Sequence, residues 1–436
     1  MFFLKGNKKV SITGLGGLDR VGGANCYLLE TPESKIMIDC GRALVTLNEE
    51  LWAENEVDFD YPNFGKIARK EIDLVLLTHS HLDHIGALPE LIKNQSQQRL
   101  QMASRDLTLR VVRRLFLSDD RRKYQFDAER LFPGKAFQRR DVFVLPVEVP
   151  HSVPQSLAFY LEAAGKKIFY SGDFKVHSSY FRKTDAFKKS LAELAKKEID
   201  VLFLESSNVY EEGFTPSDQV VWQELERIFN RTPGRIVLST FSSHLDRLRA
   251  VIQMAGSQKR SVYVVGRNLT AYLIAGGVQG WKRLSFRSGI RPQPNALILT
   301  TGCQAESRSE LINAIFGKAP FRLSCRDTVI ISSDPIPIPE IESRVKKMVE
   351  ELTNIVDTVY ISRDAPGDFS RKARRANIHV SGHGKKEDLL YLAKVLRPKL
   401  VIPIHGDPEK REYLADLVRR EKIQTKIIKE NIPIEV

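Results

Sequence analysis

His79-Ser80-His81-Leu82-Asp83-His84 follows directly on the apolar run Asp73-Leu74-Val75-Leu76-Leu77-Thr78. Imidazole and carboxylate are the usual ligands of zinc and similar divalent ions, and here four of them stand in six positions. An apolar run that ends in polar residues predicts a buried strand whose C-terminal end presents a loop. A strand end places alternate residues on one face, so His79 and His81 arrive together. The turn into the following helix then brings Asp83 and His84 round as a second pair, and one short segment feeds two adjacent metals. A chance crowding of polar residues explains this poorly, because uncompensated imidazoles at the end of an apolar strand are costly to bury.

The flanking sequence has the same character. Short β-branched runs alternate with turn signals in VSITGLGGLDRVGGANCYLLE (10–30) and KIMIDCG (35–41), and helical patterns follow in HIGALPELIKNQ (84–95) and RDLTLRVVRRLFL (105–117). VFVLPVEVPH (142–151), LAFYLEAAG (157–165), KKIFYSGDF (166–174) and DVLFLESSN (200–208) read as further strands, so this part is an α/β layered unit. Beyond Glu205 the rhythm changes. A helix at 217–229, a strand at 234–243, a helix at 244–256 and a strand at 260–268 give the βαβ alternation of an open parallel sheet, predicting a second domain. Strands at 295–303 and 327–337 and a helix at 341–354 continue it. NIHVSGHG (377–384) reads as a strand, a helix is expected around 388–396, and KLVIPIHGD (399–407) is a last strand tipped, like the first ones, with histidine.

The 436 residues are too many for one ordinary compact unit, and a composition 42% hydrophobic and 28% charged supplies a sizeable core and excludes disorder. Lys+Arg 67 against Asp+Glu 54 leaves a net charge of +13, which favours a polyanionic partner, usually nucleic acid. No window approaches a membrane span, so no membrane partner is expected. The N-terminal MFFLKGNKKV is far short of a secretory apolar region, and a cytoplasmic location is expected. Cys26, Cys40, Cys303 and Cys325 are scattered without a CxxC pair, as suits buried reduced thiols.

His79, His81, Asp83 and His84 resemble the HxHxDH signature of the metallo-β-lactamase superfamily. Asp39 in MIDCG resembles that superfamily's first motif, an aspartate that supports the ligands from behind. His151 in VPHSVPQS resembles the third motif, and Asp173 in YSGDFK the fourth, whose carboxylate bridges two metals. Further along, Glu205 in LFLESSN, His383 in HVSGHG and His405 in IPIHGD resemble motifs A, B and C of the β-CASP subgroup, which processes nucleic acids; close relatives often have Asp at the first of these. HSHLDHIGALPEL, SGDFK, VLSTFSS, VVGRN, LTTGCQAE, ISSDPIP and NIHVSGHG resemble, in the same order, segments of the bacterial ribonuclease J branch.

The resemblance implies an α/β fold: a metallo-β-lactamase αββα sandwich made of 1–207 and 367–436, with an inserted β-CASP α/β domain at 208–366 and RNA held in the cleft between them. It implies two divalent ions, Zn2+ first and Mn2+ accepted by the same ligands. His79, His81 and His151 would take one, Asp83, His84 and His405 the other, with Asp173 bridging. Metals about 3.5–4 Å apart hold and activate a hydroxide for in-line attack at phosphorus. Asp83 would also orient the nucleophile. Glu205 would orient His383 and stabilise its charged form, to protonate the leaving 3′ oxygen or grip the scissile phosphate, against a purely structural histidine satisfied by backbone.

The activity implied is RNA hydrolysis from a 5′-monophosphate end, with internal cleavage as a second mode. Ser332, Ser333, Ser381 and Gly382 are the candidates for the terminal phosphate, against a plain turn-forming role for the serines. His379, two strand positions from Ser381, is expected either to contact phosphate or to pack. Arg371, Lys372, Arg374 and Arg375 are expected to track RNA, with a solvated loop as the bland alternative. Arg110, Arg113, Arg114, Arg121, Arg122 and Lys123 read as surface first and RNA contact second, and His177 and His244 as surface or helix residues, although His244 follows STFSS, where family members line the substrate cleft. Cleavage of DNA, hydrolysis of a small molecule, and a non-catalytic RNA-binding subunit are the rival readings; the intact ligand set speaks against the last. A homodimer is one option for the assembly, and the oligomeric state stays open, because the C-terminal domain that helps the family dimerise is not expected in this chain.

Overall fold

The computed structural model describes residues 9–20, 22–45, 58–67, 72–94, 99–116, 126–178 and 181–436. Arg121, Arg122 and Lys123 lie outside them. Contacts divide the chain into two compact units: the first gathers 1–44, 59–215 and 382–436, and the second is built from Pro216–Ser381.

Two sheets make the first unit. One runs, in spatial order, Ile434–Glu435, Ser11–Gly16, Cys26–Glu30, Lys35–Ile38, Leu74–Leu76, Leu100–Ser104 and Phe126–Arg130. The other runs Gln424–Thr425, Leu400–Ile404, Val201–Glu205, Lys166–Tyr170, Leu157–Ala163, Val142–Glu148 and Phe137–Arg139. Tyr27, Leu29, Ile38 and Leu76 of the first sheet share a core with Val142, Phe159, Tyr170, Phe203 and Ile402 of the second. The second sheet is apolar on its other side too: Tyr160, Phe169, Leu202 and Leu204 meet Leu191, Leu389, Leu392, Leu414 and Val418 from the helices Phe181–Ala195, Lys386–Leu396 and Pro408–Arg420. Burial on both faces explains why Val201–Glu205 (VLFLE) is buried throughout rather than alternating. Helices outside two facing sheets are the αββα layering.

Parallel pairing decides where the chemistry falls. Lys35–Ile38 lies parallel to Leu74–Leu76, and Lys166–Tyr170, Val201–Glu205 and Leu400–Ile404 are mutually parallel neighbours. Their C-terminal ends therefore lead into Asp39, Thr78–His84, Asp173, Glu205 and His405, the position at which α/β sheets present ligand-binding loops.

The second unit carries a wholly parallel sheet in the order Lys282–Arg283, Val262–Val264, Leu297–Thr300, Ile236–Ser239, Thr328–Ile331, Thr358–Ser362 and Ala373–Ala376. Its limits fall later than the expected 208 and 366. Residues 208–215 stay with the first unit because Asn208 bridges Lys385, while Thr215 donates from its backbone N to Asp388 and from its hydroxyl to the His383 carbonyl. Residues 367–381 join the second because Ala373–Ala376, inside the basic run, is a strand paired along Thr358–Ser362.

Three local expectations are corrected. NIHVSGHG forms no strand: 377–385 runs as bends, with the Ile378 carbonyl taken by the Ser332 hydroxyl and the Val380 carbonyl by Arg247. His379 and Ser381 are therefore not related by a strand repeat. His244 is buried rather than superficial, at the N-cap of Leu245–Ser257, its ring stacked 5.8 Å from that of His379. Cys26, Cys40 and Cys303 are buried free thiols, but Cys325 is exposed in the turn before Thr328–Ile331. No described helix is long and apolar enough to cross a membrane.

Candidate metal centre

The loop after Leu74–Leu76 is fastened from both sides. His81 is the extended N-cap residue of the single-turn helix Leu82–Ile85. Backbone hydrogen bonds run from Cys40 to His84 (2.8 Å), Arg42 to Leu82 (3.0 Å), Asn25 to Asp83 (3.0 Å) and Gly41 to Asn25 (2.8 Å). Gly41 approaches so closely that a Cβ there would sit 1.6 Å from the Asp83 carbonyl oxygen. Asp39 and His405 both take left-handed backbone, with φ of 59° and 52°, which non-glycine residues adopt at a cost and which clusters at functional sites. The Asp39 carboxylate accepts from Thr78 N (2.8 Å), from the Thr78 hydroxyl and from His84 Nδ1 (2.8 Å).

Two ligand groups result. Atoms of His79, His81, His151 and Asp173 lie within 4.8 Å of one another, as do those of Asp83, His84, Asp173 and His405. Asp173 belongs to both. Its Oδ2 faces His84 Nε2 at 3.1 Å and the Nε2 atoms of His79 and His405 at 3.5 Å. Outer partners aim the rings: His84 Nδ1 donates to Asp39 and His151 Nδ1 to the Gly382 carbonyl (2.8 Å), turning each Nε2 inward. Gly382 allows this contact, since a Cβ would lie 2.6 Å from His151 Cε1.

The residues fit a divalent cation on the structure's own terms. Asp173 Oδ2 and His405 Nε2 are buried, face each other at 3.5 Å and have no well-aligned hydrogen bond among the described residues, a costly condition that a cation relieves. The Nε2 atoms of His79 and His151 both point at His81 Nδ1, at 3.0 and 3.3 Å. Burial and neighbouring imidazoles hold His79 and His151 well below the usual histidine range, and burial brings His81 down to about 4. Burial works against the Asp173 carboxylate, but the surrounding His405, His84 and His383 outweigh it and hold it well below the usual range. His79, His81 and His151 are thus in the neutral form that metal binding requires, whereas at His84 burial is outweighed by Asp173, Asp39 and Asp83, which hold it well above the usual histidine range, so a cation there would displace a proton.

His383 stands differently. Its Nδ1 donates to Glu205 Oε2 at 2.8 Å, while Glu205 Oε1 accepts the backbone N–H of Phe174 at 2.9 Å. Burial lowers its pKa, yet Glu205 and Asp173 prevail and raise it to about 9. Asp173, Glu205 and His383 also fall within 4.8 Å of one another, a third possible group in which Glu205 occupies His383 Nδ1.

The expected RNA contacts divide. Ser332 and Ser333 are buried, their hydroxyls donating to the carbonyls of Ile378 (2.5 Å) and Cys303 (3.2 Å), so neither presents its hydroxyl to a phosphate. Burial corrects that expectation. His379 Nδ1 accepts from the buried guanidinium of Arg247 (3.1 Å), which also donates to Asp218 and to the Ser332 and Val380 carbonyls. Ser381 is partly exposed. In the basic run, Arg375 holds the carbonyls of Arg363, Ala365 and Gly367 and Lys372 that of Thr353, while Arg371 and Arg374 stand exposed. Arg110 is paired with Asp106, and Arg113 lies over the Phe126 ring.

Three residues beyond the expected set shape the centre. The Asn25 amide nitrogen sits 2.9 Å from His405 Nδ1 and 3.3 Å from His84 Nε2. Thr78 links Asp39 to His79 Nδ1. Asp388 accepts the backbone N–H groups of Val176, Thr215 and Lys385, fixing the loop after His383. Only Thr78, adjacent to His79, carried a positional signal.

The family model described as Metallo-beta-lactamase superfamily matches residues 19–239. Those described as Ribonuclease J, beta-CASP domain, and Zn-dependent metallo-hydrolase RNA specificity domain match 233–352 and 368–428. Curated relatives named Ribonuclease J include one from Helicobacter pylori, 28% identical over 93% of this chain and 57% of its own length. Another from Thermus thermophilus is 27% identical over 96% of this chain and 72% of its own, and one from Pyrococcus abyssi is 26% identical over 94% and 93%. The chain thus spans little more than half the length of the Helicobacter relatives. A solved protein of unknown function from Enterococcus faecalis shares the fold, with a TM-score of 0.60 over 98% of this chain and all of its own at 14% identity. Family and ligand cluster together support use of divalent metal. The chain belongs to the metallo-β-lactamase superfamily and carries a β-CASP domain of the ribonuclease J kind.

Proposed function

We propose that the protein is a metal-dependent ribonuclease of the ribonuclease J type, degrading RNA 5′→3′ from a 5′-monophosphate end and also cutting internally. The observation that carries the reading is the pair of ligand groups sharing Asp173, set beside a histidine kept charged by Glu205. In this reading His79, His81 and His151 would hold one ion and Asp83, His84 and His405 the other, with Asp173 available to both. Bound divalent ions, Zn2+ or Mn2+ by ligand type, polarise a phosphoryl oxygen and lower the pKa of water.

The side chains do the rest. Asp39 locks His84 through Nδ1 and so aims Nε2 at the ligand group. Asp83, partly exposed beside the buried His84 and His405, aligns the attacking water. His383 delivers its Nε2 proton to the departing 3′ oxygen, and Glu205 keeps that proton in place near neutral pH. Arg371, Arg374, His379 and Ser381 contact RNA phosphates. A cytoplasmic setting is part of the same reading.

The test offers 5′-labelled and 3′-labelled monophosphorylated RNA to the purified protein with Zn2+ or Mn2+, and single-stranded DNA of the same sequence as a control. Labelled mononucleotide released from the 5′ end marks the exonuclease, and larger fragments mark internal cleavage. No hydrolysis of RNA with either ion, or preference for the DNA, overturns the proposal.

A further inference from the structure

From Arg247 to Ala305 the chain holds nine lysines and arginines and no aspartate or glutamate. At the chain's average of 54 acidic residues in 436, those 59 residues would contain about seven. Part of the positive charge is consumed internally: Arg247 and Arg260 are buried, one against Asp218, the other under the carbonyls of Gly234 and Asn295. Arg249 pairs with Asp246.

Four of the remaining six fall at one edge of the second unit's sheet. Lys282–Arg283 is the terminal strand, paired only with Val262–Val264, and the single-turn helix Phe286–Ser288 follows it. Lys282, Arg283, Phe286, Arg287 and Arg291 are all exposed, and the four cations form no ion pair among the described residues. Phe286, at 72%, is the most exposed large apolar side chain among the described residues. The segment is nevertheless built. Leu284 is buried and its N–H bonds the Val264 carbonyl (2.9 Å), the Ser288 hydroxyl donates to Ser285 O (2.7 Å), and Gly289 closes the turn at φ 63°. Four exposed cations, without ion pairs among the described residues and within ten positions of one bare ring, match a polyanion that also presents flat aromatic faces.

We propose that Lys282, Arg283, Phe286, Arg287 and Arg291 form a binding site for single-stranded RNA, in which Phe286 stacks on a base and the cations take the flanking phosphates. It rests on the reading of RNA as substrate and adds a sequence-tolerant hold outside the metal ligands, since stacking and phosphate contacts carry no base code.

Binding is measured on the full chain in EDTA, by anisotropy of a long labelled oligouridine across a salt series, so that hydrolysis plays no part. Phe286→Ala weakens binding roughly tenfold, and Phe286→Trp retains it. Combined Arg283→Gln, Arg287→Gln and Arg291→Gln lowers the slope of log affinity on log salt by about 2, at ~0.7 per phosphate contact. With metal restored, both variants hydrolyse a trinucleotide at the native rate. Unchanged affinity and slope overturn the site. So does a change in oligomeric mass, or in binding to anionic vesicles, with RNA affinity intact. Failure of the native protein to hydrolyse the trinucleotide strikes at the catalytic reading alone, and the anisotropy series still decides the site.

Discussion

Gly41→Ala is the sharpest test of how the centre is assembled. The added methyl would lie 1.6 Å from the Asp83 carbonyl oxygen, 2.1 Å from its carbon and 2.8 Å from His84 N. All three are backbone atoms, so no side-chain rotation relieves the clash. Restoring a contact of about 3 Å moves the Asp83–His84 turn away by roughly 1.4 Å. That displacement strains the three backbone hydrogen bonds that run from Cys40, Arg42 and Asn25 to His84, Leu82 and Asp83. Losing two or three of them, at about 1 kcal/mol each, destabilises the first unit by about 2–3 kcal/mol. Since a shift of ~1 Å in positioned groups costs about 100-fold in rate, turnover on labelled RNA falls by that order. Metal content after dialysis, read by elemental analysis, falls towards half, because Asp83 and His84 serve one ligand group. A variant with the native metal content and turnover within about threefold of native would refute the reasoning.

Asp39→Asn leaves His84 without its charged partner and reduces metal affinity about 10- to 100-fold, measured by competition with a chromogenic chelator; unchanged affinity removes Asp39 from the site. Glu205→Gln takes away the main group raising His383. A raised pKa means that the protonated, active ring persists below about 9 and is lost as pH rises through it, so the variant's alkaline loss of turnover moves to lower pH; superimposable pH–rate profiles would exclude this role. Ser332→Ala lowers stability by about 1 kcal/mol through the Ile378 contact and leaves the preference for 5′-monophosphate over 5′-hydroxyl RNA intact, whereas Ser381→Ala reduces that preference; the ratio of rates on the two RNAs decides between them.

The centre was legible because its residue types are conspicuous where they stand. Histidines and aspartates at the ends of apolar strands have few uses apart from metal or catalysis, and the structure gathers His79, His81, Asp83, His84, His151, Asp173 and His405 at adjoining strand ends. Asn25 and Asp388 were not legible, because an ordinary amide or carboxylate gains its meaning from contacts 380 and 212 residues away. Ala373–Ala376 was hidden because an edge strand needs no apolar alternation, so its arginines read only as charge. NIHVSGHG misled in the opposite sense: its alternation suits a strand, but Ser332 and Arg247 side chains take carbonyls that a ladder would use. Pro408–Arg420 did carry a start signal, Asp407 capping the Lys410 N–H ahead of Pro408, and the helix could have been placed from it.

The order in which the ligands occur along the chain also bears on biosynthesis. Val201–Glu205 finds its neighbour Leu400–Ile404, and with it His405, only after Pro216–Ser381 has been made. At about 5–20 residues per second, the ribosome needs on the order of ten to thirty seconds for that interval. Through it the growing polypeptide lacks the last of its imidazoles and cannot complete the group of Asp83, His84, Asp173 and His405, so whatever depends on that group waits until residue 405 emerges.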